Sequence, residues 1–187
     1  MYSPISLLHP LKMEFLIANL QKTREVPGAV IEIGCYQGGT LLQIAKWVGA
    51  KKTVIGYDTF EGLPSPEGYD LFSQNPHQKG DFNNVDLETM QTFFADYGVK
   101  LVKGIFPGEE RNRKISFAHL DVDLYMGTVE GLKYLEWNLA PNGLIVVDDY
   151  LWSRTPGVEV AVEEFLVAKK FKIIDQSKNF QVVLGRP

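Results

Sequence analysis

The chain has 187 residues, 45 % of them apolar and 22 % charged, with a formal net charge of −4; this suits one globular domain with its own core, and the negative balance argues against a nucleic-acid-coating role. A lone cysteine, Cys35, excludes an internal disulfide framework and fits a reducing compartment. No apolar run approaches the roughly 18 residues that span a bilayer, and Met1–Leu20 lacks a secretory layout, so the expectation is a cytoplasmic protein with no membrane and no nucleic-acid partner.

Leu7, Leu8, Leu11, Phe15, Leu16 and Leu20 partly follow a helical stripe, which predicts a helix over about 11–22. Pro27-Gly28 ends that arm of about 25 residues. Ala29–Gly34 reads as a buried strand, and Gly38-Gly39-Thr40 opens a helix running to about Val48. Thr53–Asp58 is a second buried strand. A loop over about 59–85 follows, long enough to suggest a functional role. Val85–Tyr97 reads as a helix with Asp86 an acid of its first turn, and Val99–Lys103 as a third strand. Ile115–Asp121 is a fourth strand, followed by a helix over about 128–138. Pro141-Asn142-Gly143 is expected to turn into a fifth strand, Leu144–Asp148. A helix over roughly 158–169 precedes a closing hairpin of Phe171–Asp175 and Phe180–Gly185. The alternation predicts an α/β fold: a mainly parallel sheet with helices on both faces, in a single domain over 1–187.

Three features carry chemistry. The turn Glu32-Ile33-Gly34-Cys35-Tyr36-Gln37-Gly38-Gly39-Thr40 joins a strand to a helix. Its glycines allow close backbone approach, and the helix start offers free N–H groups to an anionic group. Asp58 ends the next strand, where a carboxylate can accept both hydroxyls of a ribose. Asp121 and Asp123, then Asp148 and Asp149, end two predicted neighbouring strands. Carboxylates gathered there repel one another unless a cation or proton intervenes. Oxygen-only donors favour a hard ion such as Mg²⁺ or Ca²⁺.

With these blocks the sequence resembles the class I S-adenosylmethionine-dependent methyltransferases, and more narrowly the macrocin O-methyltransferase family. Beside the glycine turn, the matching residues are Tyr57–Pro64, Gly80-Asp81-Phe82, Lys103–Pro107, His119–Tyr125 and Pro141–Tyr150. The resemblance implies a Rossmann-like methyltransferase sheet with a final antiparallel strand, and Mg²⁺-dependent O-methylation of a small-molecule hydroxyl. It implies an S-adenosylmethionine site drawn from Glu32, Gly34, Cys35, Tyr36, Gly38, Gly39, Thr40, Asp58, Thr59, Phe60, Asp81, Phe82 and Asp121. It implies Mg²⁺ on Asp121, Asp148 and Asp149, and it allows a homo-oligomer. Two departures stand out: only about 25 residues precede the core, and Met126-Gly127 replaces the Glu-Ser common after D-L-Y, so the acceptor side is expected to differ.

Three carboxylates leave coordination positions open for acceptor oxygens, so a sugar or other vicinal diol is a natural acceptor shape. Asp123 is the candidate proton acceptor, with a structural hydrogen bond as its competing role. Phe60 and Phe82 are candidates to sandwich adenine, with core packing as the alternative; Tyr150 and Trp152 are candidates to wall the acceptor site. Cys35 has no neighbouring base in sequence and is expected to contribute backbone only. His119 reads as a core histidine, and His77 as a surface residue of the long loop with a lesser case as a base. A binding protein without turnover and a small NAD-dependent oxidoreductase are the competing functional readings.

Overall fold

The computed structural model describes residues 2–108, 113–168 and 170–187. Its centre is a set of short strands that bury both faces, as a parallel sheet covered by helices requires. β1 (Ala29–Ile33) and β4 (Ile115–Leu120) are buried at every position. β2 (Val54–Asp58) and β3 (Val99–Lys103) lie on one side of them. β5 (Leu139–Asp148), β7 (Gln181–Gly185) and β6 (Lys172–Ser177) lie on the other. Among the described residues the sheet has seven strands in the order β3-β2-β1-β4-β5-β7-β6. β7 runs antiparallel to both neighbours, and the other pairings are parallel.

Helices cover both faces. α1 (Pro10–Lys22), α2 (Gly39–Val48) and α3 (Leu87–Ala95) pack Leu16, Leu41, Ile44, Met90 and Phe94 against Val30, Phe117 and Val146. α4 (Tyr125–Asn138) and α5 (Pro156–Ala168) pack Leu132, Leu135, Val158 and Val162 against Ile31, Ile55, Ile145 and Val182. Residue 169, the expected end of α5, lies outside the described residues. No helix among them is long and apolar enough to cross a membrane.

Several boundaries differ from the sequence-based expectation for physical reasons. α4 starts at Tyr125 rather than Thr128, because the Asp70 carboxylate accepts the Tyr125 N–H at 2.8 Å and so satisfies a free donor of the first turn. Asp86 precedes α3 as its N-cap, accepting the Thr89 N–H, instead of lying in its first turn. β5 begins at Leu139, not Leu144. Leu139 pairs with Ile115 and Leu144 with Phe117, so Ala140–Gly143 is a bulge in a paired strand, with Asn142 at φ 62°.

The long loop contains a 3₁₀ turn, Gly68–Phe72. It is tied across its neck, where Leu63 N–H donates to the Asp81 carbonyl and Gly80 N–H to the Leu63 carbonyl.

Candidate active site

Strand order reverses between β1 and β4, so the chains leaving their carboxyl ends diverge and open a crevice. A cavity of about 810 Å³ occupies it. The cavity reaches from the glycine turn to the ends of β4 and β5, and is bordered by the amino-terminal segment and the long loop.

The glycine turn is shaped by packing. Gly34 has φ 88°, and a Cβ there would stand 1.6 Å from the Asp121 carbonyl oxygen. Asp121 N–H in turn donates to the Ile33 carbonyl, so the first turn is pressed against the end of β4. A Cβ on Gly39 would meet the backbone of Ile5 and Ser6. Gly39 N–H donates to the Ile5 carbonyl, and Ser6 Oγ lies 2.7 Å from Thr40 Oγ1. The amino-terminal segment therefore lies directly on the start of α2. Gly38, at φ 71°, abuts Phe94 and Met90 and does not line the cavity.

Asp58 organises the turn from the neighbouring strand. Its Oδ2 accepts the Tyr36 N–H at 2.7 Å and its Oδ1 the Phe60 N–H at 2.8 Å, with Thr59 Oγ1 at 3.4 Å. Asp58, Thr59, Glu32, Cys35, Tyr36 and Thr40 all line the cavity. Burial pushes the Cys35 thiol well above its ordinary pKa, with Asp58 and Glu32 adding to the shift. The thiol stays protonated and unreactive.

The aromatic candidates separate. Phe82 lines the cavity, edge-on to Tyr36 at 5.5 Å and beside His77 at 5.6 Å. Phe60 does not line it; its ring packs in the α1–α3 core, and its backbone N–H supports Asp58 instead. Trp152 is a cavity wall, whereas Tyr150 turns into the core beneath α5, its hydroxyl donating to Glu163. Asp81 also lies off the cavity surface, accepting the Gln78 N–H and facing His77 Nδ1 at 3.2 Å. His77 is not a surface residue: it is 5 % exposed, and its Nε2 stands 3.5 Å from Asp123 Oδ1.

The four acids do converge. Oxygens of Asp121, Asp123 and Asp149 lie within 4.8 Å of one another, and so do a His119 ring nitrogen and oxygens of Asp121 and Asp148. The expected trio Asp121, Asp148 and Asp149 is thus split between two groups that share Asp121. Burial drives the Asp121 carboxyl well above its ordinary pKa, reinforced by Asp148 and Asp149. Burial, then Asp149 and Asp148, push Asp123 to about 8. Asp148 is also raised, by burial and by Asp149, against the opposing pull of Lys12. Asp123 and Asp149 adopt φ 61° and 60°, a left-handed backbone uncommon outside glycine.

Lys12, which the sequence reading did not single out, reaches from α1 into this cluster. Its ammonium lies 3.0 Å from Asp148 Oδ2 and 2.5 Å from Asp149 Oδ1, over the Trp152 ring at 5.7 Å. Arg154, also unanticipated, stacks on the same ring and lines the cavity. The only signal for Lys12 is a cation on the otherwise apolar side of a predicted helix, which is too common to be read alone.

The donor set fits a divalent cation. Two buried carboxylates, Asp148 and Asp149, and two partly buried ones, Asp121 and Asp123, face one ammonium, Asp148 Oδ1 has no hydrogen-bond partner among the described residues, and Lys12 shows that the cluster holds positive charge.

The comparisons agree with this architecture. The family model described as macrocin O-methyltransferase matches residues 12–179. A 4′-O-methyltransferase of 8-demethyl-8-(2,3-dimethoxy-α-L-rhamnosyl)-tetracenomycin C from Streptomyces olivaceus is 30 % identical over 142 residues, 67 % of this chain and 54 % of the relative. The mycinamicin III 3″-O-methyltransferase of Micromonospora griseorubida is 27 % identical over 157 residues, 75 % of this chain and 61 % of the relative. The matched stretch thus spans only about half to three-fifths of these relatives. Among solved structures, the calicheamicin methyltransferase CalS11 superposes with a TM-score of 0.78 at 20 % identity, covering 95 % of this chain and 80 % of that one. The O-methyltransferase NovP gives 0.76 at 22 % identity, with 94 % and 79 % covered. These two likenesses establish the methyltransferase fold, and the family match across nearly the whole sequence establishes that the chain belongs to the macrocin O-methyltransferase family.

Proposed function

We propose that this chain transfers a methyl group from S-adenosylmethionine to a sugar hydroxyl of a small secondary metabolite, with Mg²⁺ as its metal. The observation that carries the reading is the placement of four acids at the ends of β4 and β5, in the same cavity as the glycine turn and Asp58. The name of the Streptomyces olivaceus relative, a 4′-O-methyltransferase of a rhamnosyl-bearing tetracenomycin, supports the acceptor class.

Asp58 is the ribose ligand: each carboxylate oxygen accepts an N–H of the turn, and its remaining lone pairs are available to the two ribose hydroxyls. Phe82 covers the adenine with its ring face or edge. Glu32, Gly34, Cys35, Tyr36, Gly39 and Thr40 border the methionine and ribose side, while Gly38 and Phe60 act by shaping the turn. Asp81 acts through His77, whose Nδ1 it faces at 3.2 Å.

Asp121, Asp148 and Asp149 would hold Mg²⁺, which supplies polarisation of the acceptor hydroxyl when bound. Asp123 takes the hydroxyl proton. Burial and the neighbouring acids raise the Asp123 carboxyl above its ordinary value, which makes it a better proton acceptor than a solvated aspartate. His77 positions Asp123 from the long loop. Trp152 and Lys12 exclude water on the acceptor side.

The test is a methyl-transfer assay against a panel of glycosylated acceptors with and without EDTA. The expected result is S-adenosylhomocysteine formation that needs an acceptor, stops with chelator and returns with added Mg²⁺. Full turnover in EDTA would overturn the metal role, and binding of S-adenosylmethionine with no product on any acceptor would overturn the catalytic reading.

A further inference from the structure

We propose that the acidic cluster contains a mixed nitrogen–oxygen coordination position, made by His119, Asp121 and Asp148, that takes a transition-metal dication of the Mn²⁺ or Co²⁺ type. The inference rests on the reading of the cluster as a metal site, and adds a ligand and an ion class to it.

His119 is fully buried on β4, directly opposite Glu32 on β1. Its Nδ1 lies 2.8 Å from Glu32 Oε1, while its Nε2 is buried with no hydrogen-bond partner among the described residues. An unpaired imidazole nitrogen in a closed interior is costly unless something occupies the space beside it. Asp148 Oδ1 is orphaned in the same way, and a His119 ring nitrogen and oxygens of Asp121 and Asp148 fall within 4.8 Å of one another.

Neither His119 Nε2 nor Asp148 Oδ1 has a hydrogen-bond partner among the described residues, so the two do not bond to each other. Two ligands on opposite sides of an ion, each at about 2.0–2.2 Å from it, stand up to about 4.4 Å apart. Ligand atoms of His119, Asp121 and Asp148 lie within 4.8 Å of one another, near enough to share one ion.

Glu32 completes the arrangement. A carboxylate on Nδ1 holds the imidazole proton there, leaves the Nε2 lone pair free and fixes the ring, as carboxylates do behind metal-bound histidines. The pair spans two adjacent central strands, so the contact is built into the sheet register. Lys12 engages Oδ2 of Asp148 and leaves Oδ1 for this position. One imidazole with two carboxylates suits Mn²⁺ or Co²⁺ better than Mg²⁺, which prefers oxygen and water.

The experiment uses Mn²⁺ on the intact chain with pulsed electron paramagnetic resonance, which detects a directly bonded ¹⁴N. His9 and His77 are the imidazoles that line the cavity, so a His9→Gln/His77→Gln double variant and His119→Gln are compared. Nitrogen coupling is expected in the unaltered protein and in the His9→Gln/His77→Gln double variant, and is expected to vanish in His119→Gln. In calorimetry, His119→Gln and Glu32→Gln should each lower Mn²⁺ affinity by about tenfold or more, while Mg²⁺ affinity moves far less. If His119→Gln does not fold, persistence of the coupling in the His9→Gln/His77→Gln double variant still assigns the nitrogen to His119, the one imidazole left in the chain. Mn²⁺ bound without nitrogen coupling would overturn the inference and leave the oxygen-ligated Mg²⁺ site standing. Failure to bind either ion would overturn both.

Discussion

Replacing Lys12 by Met tests whether the acidic cluster depends on a tethered cation. The Lys12 side chain is 12 % exposed, and those of Asp148 and Asp149 are 4 % and 8 % exposed, so water screens the ion pairs poorly. Removing one partner of a buried pair costs about 3–5 kcal/mol, because the other charge is left uncompensated. The cluster can limit that loss by binding a proton, since Asp121, Asp123 and Asp148 are already displaced upward by burial and by one another. The lower end, about 3 kcal/mol, is therefore expected near neutrality. For a chain of this size, about 2–4 °C is lost per kcal/mol, so the melting temperature should fall by about 6–12 °C. The pH dependence has a definite sign. An acid whose folded-state pKa lies above its unfolded value binds more protons in the folded state across the interval between the two, so stability falls as pH rises through that interval. Met at position 12 removes the larger of the two groups, Lys12 and His119, that oppose the upward shift of Asp148, so the gap between the two proteins should widen from pH 5 to pH 8. Thermal denaturation followed by circular dichroism, in EDTA at three pH values, measures this. Excess Mg²⁺ should restore part of the loss, about 2.7 kcal/mol at a hundred times its dissociation constant. A variant as stable as the parent at pH 8, or a gap that does not change with pH, would refute the reasoning.

Asp58→Ala should weaken S-adenosylmethionine binding at least tenfold by calorimetry, since each charge-assisted bond contributes about 1.5–3 kcal/mol. The loss should exceed that of a simple ligand contact because Asp58 also holds the Tyr36 and Phe60 N–H groups; unchanged affinity in the folded variant would remove Asp58 from the site. Asp123→Asn should lower kcat by about 10²–10⁴-fold, the usual worth of a general base, while Mg²⁺ affinity stays within a few-fold. Turnover in the parent should rise with pH as Asp123 ionises, and that limb should be missing from the variant; a pH profile common to both would assign the proton to another group.

Much of the fold is legible because it is local. Ala29–Ile33 and Val54–Asp58 are apolar runs too short for helices and bounded by turn residues, and they become buried parallel strands. The acids at the ends of β4 and β5 are legible for the same reason: strand length fixes where the carboxyl end falls, and adjacency of the two strands brings the pairs together. What escapes is set by partners remote in sequence. Asp70 reaches 55 residues forward to start α4 early, a bond with no trace near Tyr125. His77 looks solvated among Ser, Gln and Lys, yet the tied loop places it between Asp81 and Asp123.

Electrostatic partners are the hardest class to read. Lys12 and Asp148 are 136 residues apart, and nothing in the amphipathic pattern of α1 distinguishes an ammonium that snorkels to water from one that turns inward. Glu32 and His119 are 87 residues apart, and each alone resembles an isolated polar residue in an apolar strand. The register between β1 and β4 makes them a pair, and a pair inside a sheet is either a sealed contact or the outer support of a ligand. A sealed contact would leave no lone polar atoms, whereas Glu32 Oε2 and His119 Nε2 both lack partners among the described residues. The unsatisfied atoms favour the second role. The sheet that makes the fold thus also carries polar side chains from its interior, at Glu32 and His119, to its ligand-binding edge, at Asp121 and Asp148.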